Sequence, residues 1–241
     1  MEVLRAEGVS VRFGGLHAVQ GVDLRVDGGE IVGLIGPNGA GKTTMFNALC
    51  GMQRCNGRVF LAGRDVTSAP PHARARAGLG RTFQRLELFG SMTAFENVRS
   101  AVERRSLWTR GSARAACHEA EQLIERVGLG RFAHRRADSL PTGQARLVEL
   151  GRALATAPSI LLLDEPASGL DEHESTTLAE LLTDLARNGI AILLVEHDIE
   201  LVMQLCSSIH VLDFGHVIAS GTPDEIQSNR AVRDAYLGSM A

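Results

Sequence analysis

Glu30-Ile31-Val32-Gly33-Leu34-Ile35, followed by Gly36-Pro37-Asn38-Gly39-Ala40-Gly41-Lys42-Thr43, is the stretch that decides the fold. An apolar strand runs into residues that fit G-x-x-x-x-G-K-[ST], and a helix-forming segment, Thr44 to Leu49, follows directly. In that strand, loop and helix context the pattern reads as a phosphate-binding loop. Its glycines let the backbone curl around an anion, successive N–H groups point inward, and the helix N-terminus adds a partial charge of about +0.5. Lys42 is expected to reach the β- and γ-phosphates of a nucleotide, and Thr43 to ligate Mg²⁺.

Outward from the loop, the chain begins β-rich. Val3 to Phe13, His17 to Val26, Glu30 to Ile35 and Gly57 to Leu61 read as strands, separated by turns such as Gly14-Gly15 and Asp27-Gly28-Gly29. A helical middle is expected from about Thr93 to Ala157, where Ala116, Ala120, Leu123, Ile124 and Val127 recur at helical spacing. Two short apolar runs, Ile160 to Leu163 and Ile190 to Val195, flank a helical stretch from about Glu172 to Arg187, the pattern of a buried parallel βαβ unit. Ile209 to Ile218 then reads as a strand pair and Asp224 to Leu237 as helix. The first of the two apolar runs ends in Asp164-Glu165, at the carboxyl edge of a sheet, where nucleotide sites form. Asp164 is expected to bind Mg²⁺ directly or through water. Glu165 can accept a proton from an attacking water within its reach.

Composition narrows the class. The chain has 241 residues, 44% hydrophobic and 22% charged, with a formal net charge of -3, so it is long enough for a full core and does not bind nucleic acid through net charge. Of the 25 Lys+Arg residues only Lys42 is a lysine. The longest apolar run, Ile190 to Val195, is far shorter than the ~20 residues of a membrane span, and the opening MEVLRAEGVS lacks an export signal, so a cytoplasmic protein is expected. Cys50, Cys55, Cys117 and Cys206 show no metal-ligand spacing and read as reduced, packed thiols.

With these motifs in this order the sequence resembles, over almost its whole length, the ATP-binding subunits of ATP-binding-cassette (ABC) transporters. The resemblance implies an α/β fold with a P-loop NTPase core, an N-terminal antiparallel β-subdomain and an inserted α-helical subdomain. The single ABC ATPase domain would span residues 1–241, with 1–90 and 155–241 forming the nucleotide-binding core and 91–154 the helical subdomain. It further implies roles for individual residues. Gln84, in Arg81-Thr82-Phe83-Gln84, is similar to the glutamine that touches Mg²⁺ or the lytic water and relays nucleotide state to the membrane partner. Ser168-Gly169-Leu170-Asp171 is similar to the D-loop, His197 to the switch histidine, and Phe13 to the aromatic residue that stacks on adenine. Gly36 to Thr43, with Thr44, would bind the nucleotide.

The signature segment departs from the family's L-S-G-G-Q. It reads Leu140-Pro141-Thr142-Gly143-Gln144, replacing with an imino acid the serine that contacts a partner's γ-phosphate. Proline is tolerated where a helix begins because that N–H has no intrahelical acceptor. Thr142 is the candidate to supply the missing hydroxyl. Since the family's signature closes over ATP held by another subunit, the resemblance implies a homo- or heterodimer burying two ATP molecules, with Asp171 facing the partner. Asp171 and Glu174 also fit a capping box.

The implied partners are integral membrane permease subunits, a second ABC ATPase subunit and, through the complex, an external solute-binding protein, with the chain peripheral on the cytoplasmic face of the cell membrane. Arg85 to Arg104 is expected to dock a permease helix. Leu88-Phe89, Met92-Thr93, Glu96-Asn97-Val98, Gly221-Thr222-Pro223 and Ala235-Tyr236-Leu237-Gly238 resemble the branched-chain amino acid importers. Pro71 to Gly78 also suggests the lipopolysaccharide-export ATPases. Non-transport cassettes resemble tandem chains or carry long coiled-coil insertions, neither of which occurs here. A weak interaction module is disfavoured by intact Lys42, Asp164, Glu165 and His197. A GTPase would need N-K-x-D, which a chain whose only lysine is Lys42 does not contain.

Overall fold

Along Glu2–Phe13 (β1) and Leu16–Asp27 (β2) buried and exposed residues alternate, so one face of the hairpin is apolar and the other is wet. With Asn56–Leu61 (β4) and Arg64–Asp65 (β5) these strands form an antiparallel sheet in the order β2-β1-β4-β5. The computed structural model describes residues 1–109 and 112–237. Arg110 and Gly111, inside the expected helical middle, and Gly238, in the C-terminal stretch, lie outside the described residues.

The second sheet runs β10-β9-β3-β8-β7-β6, where β3 is Ile31–Ile35, β6 Leu79–Arg81, β7 Ile160–Asp164, β8 Ala191–Val195, β9 Ser208–Asp213 and β10 His216–Gly221. Every pairing is parallel except that of β10 with β9. β3, β7 and β8 are buried at every position because both faces of the sheet are covered. Ile160, Leu162, Leu193 and Val195 face one core, shared with the antiparallel sheet and the helix Lys42–Leu49 (α1). Leu161, Leu163, Ile192 and Leu194 face the other, shared with the helices of the middle and C-terminal parts of the chain. Truncating any of these leucines to alanine should cost about 2–5 kcal/mol.

The expected helical middle is broken into three helices, Ala94–Thr109 (α3), Ala113–Arg126 (α4) and Thr142–Leu154 (α5). Gly128, at φ 76°, ends α4 in a left-handed turn in which the Leu129 amide reaches back to Ile124 O at 2.9 Å. The expected C-terminal helix is likewise split into Pro223–Ser228 (α8) and Arg230–Leu237 (α9). Asn229 leaves the helical region at ψ 123°, and its side chain accepts from the Ala231 amide at 2.9 Å. Pro71–Arg76 (α2), β5 and β6 are too short for periodicity to show in the sequence. Glu172–Arg187 (α6) and Ile199–Leu205 (α7) complete the fold. All four cysteines are free, and no described helix is long and apolar enough to cross a membrane.

Candidate functional site

Gly36-Pro37-Asn38-Gly39-Ala40-Gly41 leaves the end of β3 and turns into α1, and the turn demands glycine at both ends. Gly36 sits at φ 148°, where an added Cβ would stand 2.0 Å from Leu212 O. At Gly41, φ 108°, it would stand 2.3 Å from Ala18 O. The main chain therefore packs closer here than any side chain allows. Lys42 Nζ folds back onto the loop and donates to Gly36 O at 2.5 Å and Pro37 O at 3.0 Å. Burial pushes its pKa down, opposed by the charges of Glu165 and Asp164.

The loop opens onto a cleft of ≈ 450 Å³, a volume in the ordinary range for a small-molecule site. Asn38, Gly39, Ala40, Gly41, Lys42, Thr43 and Thr44 line its floor, Phe13 borders one part, and Gln84, Glu165 and His197 border another. Phe13 is not a core residue: it is 50% exposed, which leaves its ring free to cover a flat ligand. Segments far apart in the sequence thus meet around one space.

Glu165 follows the end of β7 in the left-handed region, at φ 52°, its amide bonded to Val195 O at 2.8 Å. Its Oε1 lies 2.7 Å from His197 Nε2 and 3.5 Å from Gln84 Nε2. Asp164 does not line the cleft. It is 1% exposed, its amide donates to Thr82 Oγ1 at 3.1 Å, and its Oδ2 accepts no hydrogen bond, with Arg81 Nη2 3.5 Å away. Burial pushes the Asp164 pKa up and Arg81 opposes the shift. A buried carboxylate oxygen without a donor suits a cation ligand, and Thr43, exposed on the cleft, offers a hydroxyl oxygen of the kind Mg²⁺ prefers.

The signature residues lie elsewhere. Leu140 is extended, Pro141 stands at the N-cap of α5 at φ -54° and ψ 154° with no side-chain cap bond, and Thr142 is exposed in the first turn. Gly143 is buried beneath Gly169 and Leu170, and Gln144 Nε2 donates to Glu174 Oε1. Asp171 caps α6, and with Glu174 it forms the full capping box. None of these residues lines the cleft, so one subunit does not bring its signature segment to its own phosphate loop.

Sequence reasoning missed the residues that hold this constellation in place. Arg146 donates to the carbonyls of Phe83 and Gln84, Glu149 Oε1 accepts from the Phe83 amide at 3.3 Å, and Arg152 donates to Glu87 O. Spaced three apart on α5, these three charges grip the segment that carries Gln84. Glu196 accepts from the Ala167 amide at 2.7 Å and the His197 amide at 3.1 Å, tying the loop after Glu165 to the end of β8, and burial pushes its pKa up. Charged residues inside an otherwise apolar helix were the only available signal.

The chain is similar in sequence and in fold to known proteins. The profile described as "ABC transporter" matches residues 19–168, and that of the "Branched-chain amino acid ATP-binding cassette transporter" matches residues 216–241. The chain is 43% identical, over an alignment 249 positions long, to the high-affinity branched-chain amino acid transport ATP-binding protein BraF of Pseudomonas aeruginosa, and 41% identical to LivG of Escherichia coli. In both cases the alignment covers 98% of each chain. It is 34% identical to the lipopolysaccharide export system ATP-binding protein LptB of Haemophilus influenzae, covering 99% of this chain and 98% of that one. A nucleotide-free ATP-binding cassette from an ABC transporter superposes with a TM-score of 0.87 at 30% identity, covering 98% and 99% of the two chains. A dimeric cassette in a post-hydrolysis state, bound to ADP and Pi, gives 0.83 at 27% identity, covering 91% and 98%.

Proposed function

The chain belongs to the ABC transporter family as an ATP-binding and ATP-hydrolysing subunit, and from that premise we propose that it powers the import of branched-chain amino acids or related amides. The observation that carries the catalytic reading is the cleft itself, where Lys42, Gln84, Glu165 and His197 surround one nucleotide-sized space. The solute reading rests on the likeness to BraF and LivG and on the match at residues 216–241.

In the proposed mechanism Lys42 leaves the Gly36 and Pro37 carbonyls for the β- and γ-phosphates, which the loop amides and the N-terminus of α1 also hold. Phe13 covers the adenine. Thr43, Asp164 and Gln84 would hold Mg²⁺, whose charge offsets that of the phosphates. Glu165 takes the proton of the attacking water, while His197 fixes the carboxylate through the 2.7 Å contact and Gln84 orients the water from the other side.

Cassettes of this family act in dimers with membrane permease components. We take the second cassette to be a copy of this chain or a similar subunit, with Leu140, Pro141, Thr142, Gly143, Gln144 and Asp171 facing its ATP. Residues 91–154 form the helical signature subdomain, and Arg85 to Arg104 meets a permease helix, with the complex peripheral on the cytoplasmic face and served by an external solute-binding protein. Export of lipopolysaccharide is the second reading, favoured only by the LptB likeness. The test is purification with the permease subunits using Glu165→Gln and ATP, followed by ATPase assays with the binding protein. Stimulation by leucine, isoleucine or valine is expected, and stimulation by lipopolysaccharide instead would replace this reading.

A further inference from the structure

Arg81 ends β6 with its side chain 6% exposed, and among the described residues it is the one cation within ion-pair distance of Asp164. Other groups fix its guanidinium, Cys50 Sγ and Met52 Sδ among them at 3.6 and 3.8 Å from Nη1. Nη1 donates to Asn47 Oδ1 on α1 at 2.7 Å, Nε donates to Thr82 O at 3.2 Å, and the plane stacks 4.8 Å from the Phe83 ring and 5.6 Å from that of Phe46. Held in this way, the guanidinium stands 3.5 Å from Asp164 Oδ2 without hydrogen-bonding to it, so this oxygen keeps its lone pairs. A buried carboxylate without any counter-charge is costly, whereas one tightly bonded to arginine is no longer available as a ligand. The observed geometry lies between those extremes.

We propose that Arg81 is the resident counter-cation of Asp164: it offsets the buried carboxylate while no metal is bound, and its charge opposes the divalent cation that later takes the same oxygen. This inference rests on the proposed Mg²⁺ role of Asp164. Arg81 is a positioning residue, since it touches Asp164 and the Gln84-bearing segment rather than the nucleotide. Because Asn47 and the aromatic rings anchor it independently, it can shift away from Oδ2 without leaving its pocket. Its neighbours Thr82 and Phe83 lead directly to Gln84, so that shift is passed along the chain to the segment that lines the cleft.

The experiment measures Mn²⁺ binding to the full chain loaded with ADP, by the loss of free Mn²⁺ signal in electron paramagnetic resonance. Arg81→Met and Arg81→Gln, the latter keeping a donor for Asn47, should tighten Mn²⁺ binding by roughly 5- to 20-fold, as removal of a like charge near the metal predicts. Arg81→Lys, which keeps the charge, should stay within about threefold of the native chain. The rise in melting temperature on adding Mn²⁺ should be larger in the neutral variants than in the native chain. A merely structural role would lower both melting temperatures and leave the difference unchanged. Unchanged or weaker Mn²⁺ binding in a folded neutral variant overturns the proposal, as does a lysine variant that behaves like the neutral ones. Asp164→Asn separates the premise: if it binds Mn²⁺ like the native chain, the metal role of Asp164 fails, whatever Arg81 does.

Discussion

His197 Nε2 stands 2.7 Å from Glu165 Oε1, while the Glu165 main chain is held in the left-handed region at φ 52°. For a residue with a Cβ that conformation costs on the order of 1–3 kcal/mol, offset here by the Glu165 amide bond to Val195 O and by the contact with His197. The strain aims the carboxylate back over the cleft rather than along the strand. Glu165→Gln, which keeps the backbone and the shape, should lower ATP turnover by about 10²–10⁴-fold with nucleotide affinity little changed. His197→Ala should lose about tenfold or more. Phosphate release beside nucleotide titration checks both, and turnover retained by Glu165→Gln would remove Glu165 from the role of base.

Lys42 is the only lysine, so an amine-specific reagent has it and the N-terminus as targets. Its ammonium is buried against Gly36 O and Pro37 O, with its pKa pushed down by burial. ATP should protect it from modification, read by peptide mass spectrometry. Lys42→Arg should cost about as much activity as Lys42→Ala, at least tenfold, because a planar guanidinium does not fit where a compact ammonium does. Equal labelling with and without ATP would separate Lys42 from the phosphates.

The phosphate loop, the Asp164-Glu165 strand end and the two-sided burial of β7 and β8 were legible in the sequence because each is a local pattern with one physical cause. The break at Asn229 and the short elements α2, β5 and β6 were not, since a turn of helix or two residues of strand leave no period to read. Arg146, Glu149 and Glu196 could not be matched to their partners for another reason. Their partners are main-chain groups of Phe83, Gln84, Ala167 and His197, and a bond to backbone leaves no mark on the identity of the residue that supplies it. Phe13 could be read as core or as surface until the fold placed it at the rim of the cleft.

Burial holds the Glu149 carboxyl above the ordinary carboxylate range, with the Phe83 amide and Arg146 opposing. The folded chain therefore keeps this proton to higher pH than the unfolded chain. The associated stability is complete below the ordinary value and is lost as pH rises through the raised one. Glu149→Gln keeps an acceptor for the Phe83 amide but cannot ionise, so its urea midpoint should fall less than that of the native chain between about pH 4.5 and pH 7. Asp164 and Glu196 shift in the same direction, so the slope should shrink rather than vanish. An identical slope in the variant would show that Glu149 does not contribute to it.

Gly143 has no room for a side chain: a Cβ would stand 2.6 Å from Leu170 Cδ2 and 2.9 Å from Gly169 O. Gly143→Ala must part the start of α5 from the loop before Asp171, at a cost of about 1–3 kcal/mol. Thermal unfolding should fall by about 2–4 °C per kcal/mol for a chain of this size. An unchanged melting temperature would mean that the contact yields freely.

Pro141 caps α5 without a side-chain bond, so serine there adds one acceptor for the first-turn amides, worth about 0.5–2 kcal/mol, and loses proline's restriction of the unfolded chain, worth about 0.4–1 kcal/mol. The two nearly cancel. Pro141→Ser should therefore leave stability almost unchanged, and any change in turnover reports the phosphate contact rather than the fold. Thr142 is exposed one residue on, in the first turn, and in the proposed dimer its hydroxyl would face the partner's nucleotide. Turnover of the assembled transporter should accordingly change less than about twofold in Pro141→Ser, fall about tenfold in Thr142→Ala, and recover in the double variant, as expected of two hydroxyls that substitute for each other. If Thr142→Ala were silent while Pro141→Ser raised turnover strongly, the threonine would not be the replacement, and the proline would be a brake on hydrolysis.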